Sequence, residues 1–231
     1  CNDVGVGCGA HVHTNTNITN TNNHHHHHHN SNNDANETSK LELDINDLLS
    51  EATSTSLFSY IAGVAYQIRN VYPSVGGIVI NNYKTTLPVK KGLSSSAAIC
   101  VLTARAYSQC YGLNFTKRQE MEFAYLGETT TPSKCGRMDQ GCAYGAGKPI
   151  VMEFNGNDLH VVEDIILGAP IHLLMVDLAS VKNTPAILRD LQMAYPIPTT
   201  DIHRGVHQLL GPINHDIMKR ALAALQQGNP K

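Results

Sequence analysis

The sequence predicts a mixed fold in which helices and strands alternate, of the α/β or α+β class. Apolar residues recur at the helical period over 57–72, and the β-branched segment Ile78-Val79-Ile80 follows two glycines. A second helix is expected over 97–111, after a loop rich in Gly and Ser. Asn155-Gly156, flanked by apolar runs, is the strongest hairpin signal in the chain.

Later segments continue this alternation. Thr116 to Gln119 has the form of a capping box, which predicts a helix ending near Gly127. The remaining predicted elements are strands over 149–154, 158–165 and 171–178, the last buried on both faces, and helices over 184–195 and 215–227.

The composition is that of a globular chain with a sizeable core. Of its 231 residues 42% are hydrophobic and the formal net charge is −2, which suits one domain, or one domain with part of another. No basic run is longer than a pair such as Lys90-Lys91, so a nucleic-acid partner is not expected. No apolar stretch approaches the roughly 18 residues of a membrane span. The six cysteines lack CxxC spacing, and three of them lie inside or beside predicted elements, which favours reduced thiols in the cytoplasm over a disulfide framework.

Residues 1–40 differ from the rest of the chain. Asn, Thr and Ser dominate, and 15–36 holds almost no apolar side chain, so this segment is expected to be disordered. The six histidines of 24–29 fit a purification tag, a natural insertion that binds metal adventitiously, or a functional metal site. A loop insertion is the simplest interpretation, since nothing nearby fixes a metal geometry.

The loop over 88–98 has the pattern of a phosphate-binding segment. The N–H groups of a helix's first turn, at the positive end of its dipole, bind anionic oxygens. Gly92 allows close backbone approach, and Ser94, Ser95 and Ser96 supply hydroxyls that can cap the helix, bind phosphate or ligate a metal. The segment is not a Walker loop, which needs Gly-Lys-Ser/Thr. A serine-capped helix without a ligand is the alternative interpretation.

Two motifs give the chain a family resemblance. Pro-x-x-x-Gly-Leu-Ser-Ser-Ser-Ala, at 88–97, resembles the nucleotide-binding motif of the GHMP kinases: galactokinase, homoserine kinase, mevalonate kinase and phosphomevalonate kinase. Lys134-Cys135-Gly136-Arg137-Met138-Asp139-Gln140 is similar to the Cys-Gly-x-Met-Asp-Gln stretch of the sugar-kinase branch, whose Asp faces the substrate hydroxyl. The motifs occur in the family's order, and the resemblance covers roughly 57–195.

The resemblance implies a two-layer α+β fold, the ribosomal-S5-like N-terminal domain of these kinases. Little or none of the family's ferredoxin-like C-terminal domain is expected. The implied organisation is a disordered Asn/His-rich segment over 1–40, an ATP-binding domain over 41–198, and the start of the C-terminal domain or a helical tail over 199–231.

The resemblance also assigns residues to the parts that phosphoryl transfer needs, namely bound ATP, Mg²⁺ and a carboxylate near the acceptor hydroxyl. Ser96 and Glu128 are the implied Mg²⁺ ligands, with Glu128 eleven residues before Asp139 as in mevalonate kinases; a solvated Glu at a helix end is the alternative. Asp139 is the implied catalytic carboxylate, which takes the acceptor proton or orients the hydroxyl. The implied nucleotide-binding residues are Lys91, Gly92, Leu93, Ser94, Ser95, Ser96 and Ala97.

Residues near these motifs are weaker candidates for substrate contacts. Lys134 and Arg137 could keep the catalytic carboxylate ionised or meet phosphate oxygens. Ser180, Lys182 and Thr184 fall where family members place a substrate-side loop, although a turn and a helix cap explain them equally well.

Two family motifs are missing. The N-terminal motif with a substrate-facing Lys or Arg does not match 1–14, and nothing after Gly211 matches the Gly-rich motif near the phosphates. Because the chain begins at Cys1 rather than Met, truncation of a longer protein is expected to explain both gaps.

The sequence therefore predicts an ATP- and Mg²⁺-dependent kinase that phosphorylates a hydroxyl of a small molecule. A sugar or sugar acid, at its anomeric position, is the preferred acceptor, and mevalonate is the alternative. A non-catalytic sensor of sugar and nucleotide is the alternative of a different class. A Ser/Cys hydrolase is disfavoured, since no paired His lies in a recognisable motif. The acceptor's identity and the oligomeric state stay open.

Overall fold

The computed structural model describes residues 9–13, 44–84, 92–133, 135–145, 149–174, 176 and 189–228. The described strands are β1 (Gly9–His13), β2 (Val79–Lys84), β3 (Val151–Asn155) and β4 (Asp158–Val162). The described helices are α1 (Ile45–Ala52), α2 (Ser59–Val71), α3 (Ser95–Tyr111), α4 (Lys117–Thr130), a 3₁₀ helix (Asp139–Tyr144), α5 (Asp201–Gln208), a π-helical segment (Leu209–Ile213) and α6 (Asn214–Gln227). Helices predominate and the strands form two small antiparallel pairs, so the predicted α+β class is confirmed.

The chain divides into two compact units. The first comprises residues 1–87 and 94–143, and the second comprises residues 88–93 and 144–231. The domain bounds predicted from the sequence stay predictions.

Three helices hold the core of the first unit. Helices α2, α3 and α4 pack against one another, and α1 packs on α2. Ile68 of α2 is fully buried, which stabilises the fold by about 1.5–3 kcal/mol relative to an exposed side chain. Helix α3 contributes small buried residues such as Ala97 and Ala104, which let its neighbours approach closely. The helices predicted over 57–72 and 97–111 are confirmed by α2 and α3.

Helices α2 and α4 cross at two glycines. A Cβ added at Gly127 would lie 2.6 Å from the backbone nitrogen of Val64 and 2.7 Å from its Cα. A Cβ added at Gly63 would overlap the carbonyl oxygen of Gly127. Backbone atoms in a packed interior cannot move aside as the end of a side chain can, so the crossing needs glycine at both positions. The crossing therefore fixes how close the last turn of α4, which carries Glu128, lies to α2.

The predicted capping box is confirmed at the start of α4. Thr116 Oγ1 accepts a hydrogen bond from the Gln119 N–H at 3.2 Å, and Gln119 Oε1 accepts one from the Thr116 N–H at 2.9 Å. The helix continues to Thr130, three residues beyond the predicted end. Glu128 therefore lies inside the last turn of the helix rather than after it.

The antiparallel pair of β1 and β2 corrects one expectation. His13 pairs with Val79 and Ala10 with Asn82, and the register shifts between Gly9 and Ala10. The disorder expected for 1–40 does not hold for residues 9–13, because their backbone pairs with β2. The composition argument rested on the polar stretch after them, and the other residues of 1–40 lie outside the described part of the chain.

The second unit contains the predicted hairpin. Strands β3 and β4 pair along their whole length, from Val151 with Val162 to Asn155 with Asp158. Gly156 has a φ of +62°, the left-handed conformation that a tight hairpin turn needs and that glycine adopts without strain.

The strand predicted over 171–178 is not observed. The described residues of this run, 171–174 and 176, form no regular structure. Leu173 and Leu174 are 85% and 92% exposed, which contradicts burial on both faces. Among the described residues no strand lies beside this run, so its apolar side chains have no sheet to pack in. Residues 175, 177 and 178 lie outside the described residues.

The helical end of the chain was predicted in part. The helix predicted over 215–227 is confirmed by α6, and residues 189–192 are helical within the predicted 184–195. Residues 184–188 lie outside the described residues. Helix α5 was not predicted, although Thr200 marks its start: the Thr200 hydroxyl accepts a hydrogen bond from the His203 N–H at 3.1 Å.

Candidate functional site

The start of α3 has an unusual backbone. Gly92 has a φ of +79° and Ser94 a φ of +55°, both in the left-handed region. A Cβ at Gly92 would meet no atom within 4 Å, so glycine is favoured there by conformation rather than by lack of space. For Ser94 this conformation costs on the order of 1–2 kcal/mol. Strain of this kind is often retained where a loop has a ligand-binding role.

The N–H groups in the first turn of α3 have no side-chain cap. Ser94 occupies the N-cap position but makes no capping hydrogen bond, whereas Asp44, Thr116 and Thr200 cap α1, α4 and α5. The first turn also holds no acidic residue. The alternative of a serine-capped helix is therefore not what the structure shows. The helix start keeps its backbone donors and its positive dipole end available for an anion.

The three serine hydroxyls next to these N–H groups also lack hydrogen-bond partners among the described residues. Ser94, Ser95 and Ser96 are half-buried, and none hydrogen-bonds through its hydroxyl to another residue in the described part of the chain. A run of hydroxyls at an uncapped helix start suits phosphate oxygens or a hard cation. Of the other residues predicted to bind nucleotide, Ala97 is fully buried and Leu93 is 41% exposed.

Glu128 is a buried carboxylate. Its residue is 4% exposed, and it forms no ion pair with any basic side chain among the described residues. Instead Gln140 Nε2 donates a hydrogen bond to Glu128 Oε2 at 2.7 Å. A buried carboxylate without a cation is costly, so a partner of positive charge would stabilise this site. The alternative of a solvated Glu at a helix end is therefore wrong.

Gln140 joins Glu128 to the loop that follows α4. It is fully buried, and its Nε2 also donates to Cys135 Sγ at 3.2 Å, so that both of its amide hydrogens are used. Its carbonyl oxygen Oε1 is buried and has no hydrogen-bond partner among the described residues. Among the described residues, the Gln140 side chain therefore acts only as a hydrogen-bond donor.

The charge of Glu128 contributes to raising the pKa of two thiols. Burial, and after it the Glu128 charge, raises the pKa of Cys135 to about 12. The same two causes, in the same order, raise the pKa of Cys100 far above its usual range. Cys100 lies on α3 one turn after Ser96, and residues four apart share a helix face. Helix α3, which carries Ser96, packs against α4, which carries Glu128.

Asp139 is the first residue of the 3₁₀ helix. Its side chain is exposed, and no described residue hydrogen-bonds to the carboxylate. The other end of this helix is held by Arg105 of α3, whose Nη2 donates to the Ala143 carbonyl at 3.0 Å. Arg105 also forms a two-pronged ion pair with Glu120, including a 2.6 Å contact from Nη2 to Oε2. The loop is therefore anchored at its end while its carboxylate faces solvent.

Arg137 lies against α4. Its Nη2 donates to Glu122 Oε1 at 3.0 Å, and its guanidinium carbon lies 4.7 Å from the centre of the Tyr125 ring. These contacts give it a structural role, and its predicted substrate contact stays a prediction.

Several predicted site residues lie outside the described part of the chain. They are Lys91, Lys134, Ser180, Lys182 and Thr184. Their predicted contacts with nucleotide or substrate stay predictions.

The oxygen ligands at this site fit Mg²⁺ rather than a metal that is held by many protein ligands. No group of three or more His, Cys, Asp or Glu side chains in the described residues is placed to hold a metal ion. Mg²⁺ is commonly bound through one or two hard oxygen ligands, with water and phosphate oxygens completing the octahedron. The Ser96 hydroxyl and the Glu128 carboxylate, which forms no ion pair with a described basic side chain, offer oxygen ligands of that kind.

Comparison with known families agrees with this arrangement. Residues 59–147 match the model of the GHMP kinases N terminal domain, which supports membership of the GHMP kinase superfamily. The matched residues run from the start of α2 past the 3₁₀ helix, so they include the serine loop, Glu128 and Asp139. The superfamily consists of small-molecule kinases, which are phosphotransferases that use ATP. No match was found among curated proteins. None of the described helices is both long enough and apolar enough to cross a membrane.

Three features of the site were missed from the sequence. Gln140 was part of the motif but was given no role, although its place directly after Asp139 was a signal. Arg105 gave no signal, because its partner Glu120 is 15 residues away on another helix. The effect of the Glu128 charge on the pKa of Cys100 likewise depends on how α3 and α4 pack.

The raised pKa values predict unreactive thiols. At about pH 8, Cys135 is expected to react with iodoacetamide at least about tenfold more slowly in the folded chain than in urea, because only the thiolate attacks. Mass spectrometry of the labelled peptides measures both rates, and the comparison is Cys110, which is half-buried like Cys135 but whose pKa is raised by burial alone. Equal rates for Cys135 in both states would contradict the burial of its thiol.

The same shift gives the stability a pH dependence. The folded pKa of Cys135 is raised above 9.0, so unfolded thiols ionise first, and the free energy of unfolding is expected to fall as the pH rises from about 9 toward 12. Urea unfolding across this range measures the slope. Cys135→Ser should make the slope shallower, and an unchanged slope would show that this thiol does not contribute.

Proposed function

We propose that this chain is the ATP-binding part of an ATP- and Mg²⁺-dependent kinase that phosphorylates a hydroxyl of a small molecule. The observation that carries the proposal is the uncapped start of α3, with three serine hydroxyls that hydrogen-bond to no other described residue, on a strained loop. Such a helix start has backbone donors for phosphate oxygens and no side chain competing for them.

The nucleotide phosphates would bind at this helix start. The N–H groups of its first turn and the hydroxyls of Ser94 and Ser95 would donate to the phosphate oxygens. Gly92, Leu93 and Ala97 would shape the loop and first turn, and Lys91 would add a positive charge.

Ser96 and Glu128 would hold Mg²⁺ between them. When bound, the ion neutralises the negative charge of the phosphates. Support comes from the burial of Glu128, which forms no ion pair with a basic side chain among the described residues, and from the packing of α3 against α4. Cys100, one turn after Ser96 on α3, has a raised pKa, so it stays a neutral thiol and adds no competing charge.

Asp139 would act on the acceptor. The acceptor oxygen bonds to the γ-phosphorus, the bond from that phosphorus to the leaving oxygen of ADP breaks, and the hydroxyl proton passes to the Asp139 carboxylate. Support comes from its exposed side chain, which hydrogen-bonds to no described residue, at the start of an anchored helix. Arg137, Ser180 and Thr184 are weaker candidates for acceptor contacts.

The preferred acceptor is a sugar or sugar acid, phosphorylated at the anomeric hydroxyl. The Cys-Gly-Arg-Met-Asp-Gln stretch at 135–140 favours it, because it is nearest the form of the sugar kinases. The eleven residues from Glu128 to Asp139 favour mevalonate as the alternative. We place the enzyme in the cytoplasm on its cysteine usage.

A substrate panel tests this proposal. ATP consumption by the full chain with Mg²⁺ is measured against free sugars, sugar acids and mevalonate, and turnover is expected with one of them. Binding of ATP is measured separately by calorimetry. ATP binding without turnover on any acceptor would favour a nucleotide sensor over a kinase, and absence of ATP binding would overturn the assignment of the helix start.

A further inference from the structure

One buried amide connects the two acidic residues of the candidate site. Gln140 follows Asp139 directly in the 3₁₀ helix, and its side chain reaches the last turn of α4 to bind Glu128. Asp139 is exposed and Gln140 is fully buried, so adjacent residues point to opposite sides of the loop. The position of the loop and the orientation of the Glu128 carboxylate therefore depend on the same side chain.

The chemistry of this contact suits a residue that orients a metal ligand. The 2.7 Å hydrogen bond from Nε2 occupies Oε2 of Glu128 and restricts rotation of the carboxylate. A neutral amide does this without cancelling the negative charge, whereas Lys or Arg would compete with a bound cation. The second amide hydrogen is held by Cys135 Sγ at 3.2 Å, which fixes the plane of the amide.

We infer that Gln140 is a positioning residue that holds the Glu128 carboxylate in the orientation in which it binds the divalent cation. This inference rests on the proposed metal role of Glu128. Mutation of a partner that orients a metal ligand typically lowers the metal affinity about 10–100-fold. Gln140 does not touch the cation, and its whole effect passes through Glu128.

The test measures metal affinity directly. Mn²⁺ is titrated into the full chain with ADP present, and free Mn²⁺ is followed by electron paramagnetic resonance. Gln140→Met keeps the length of the side chain and removes both donors, and the dissociation constant for Mn²⁺ is expected to rise about 10–100-fold.

Gln67 supplies a matched control. Its Nε2 donates to Thr130 Oγ1 at 2.9 Å, in the same last turn of α4, and it makes no hydrogen bond to Glu128. Gln67→Met therefore removes a similar hydrogen bond from the same helix and is expected to leave the affinity for Mn²⁺ unchanged. Urea unfolding of both variants shows whether a loss of stability accompanies either change.

A double-mutant cycle separates positioning from general damage. With Glu128→Gln already in place, Gln140→Met is expected to cause no further loss of Mn²⁺ affinity, because Gln140 acts only through that carboxylate. Where Gln140→Met does not fold, Gln140→Asn, whose amide is one methylene too short to reach Glu128, takes its place.

The outcomes distinguish this inference from the proposed function. Normal ATP turnover by the wild-type chain with unchanged Mn²⁺ affinity in Gln140→Met would overturn the inference and leave the kinase proposal standing. An equal loss in Gln67→Met would also overturn it, since any weakening of α4 would then suffice. Absence of Mn²⁺ binding by the wild-type chain with ADP would overturn the metal assignment of Glu128 and the inference together.

Discussion

Replacement of Asp139 by Asn is expected to lower kcat by about 10²–10⁴-fold while ATP still binds. Asn has the size of Asp but cannot take the proton of the acceptor hydroxyl. The nucleotide is assigned to the start of α3, which the substitution does not touch. Because the side chain is exposed and hydrogen-bonds to no described residue, the free energy of unfolding should stay the same.

The measurement is the rate of ADP formation with the acceptor found in the panel, beside calorimetric titration with ATP. Asp158→Asn is the matched control: Asp158 is also exposed, but it lies at the start of β4 in the hairpin and is expected to have no effect. Full turnover by Asp139→Asn would remove the carboxylate from the mechanism.

Features whose chemistry is local were predictable from the sequence. The capping box of α4 needs only Thr116 and Gln119, which are three residues apart. The hairpin needs only Asn155-Gly156 and the apolar runs beside it. The helical periods of α2 and α3 are also properties of single segments, and the resemblance to the GHMP kinases rests on two short contiguous motifs.

Features that depend on distant partners were not predictable in the same way. The hydrogen bond from Gln140 to Glu128 spans 12 residues, and it becomes visible only when the loop folds back on α4. A serine cap on α3 was only the alternative interpretation of its loop, and the left-handed conformation of Ser94, which leaves the helix without that cap, was not visible in the sequence. The run at 171–178 has the composition of a buried strand, yet a strand also needs a neighbour, which composition does not supply.

Pairing with a distant partner also explains the error at the beginning of the chain. Residues 9–13 form β1 because β2 lies about 70 residues further along and offers an edge to pair with. The disorder predicted for 1–40 was drawn from the polar composition of the segment as a whole. Composition averaged over forty residues does not reveal a strand of five.

Replacement of Gly127 by Ala is expected to destabilise the fold by about 1–3 kcal/mol, despite the better helix propensity of Ala. The added Cβ would lie 2.6–2.7 Å from the backbone of Val64, below the 3.0 Å that Cβ contacts in proteins essentially never cross. Helices α2 and α4 would have to separate, and the buried contacts along their crossing would loosen. Gly63→Ala, which places a Cβ against the Gly127 carbonyl, is expected to act in the same direction.

Gly205→Ala is the control for this prediction. Gly205 lies inside α5, and a Cβ there would meet no atom within 4 Å, so the substitution should be neutral or stabilising by about 0.4–1 kcal/mol. The three variants are compared by urea unfolding. The signal is far-ultraviolet circular dichroism, because the chain has no Trp. Equal stability of Gly127→Ala and wild type would mean that the helices do not cross this closely. Because Glu128 follows Gly127 in the same turn, a destabilised variant should also bind Mn²⁺ with ADP more weakly, which ties the packing of the core to the geometry of the site.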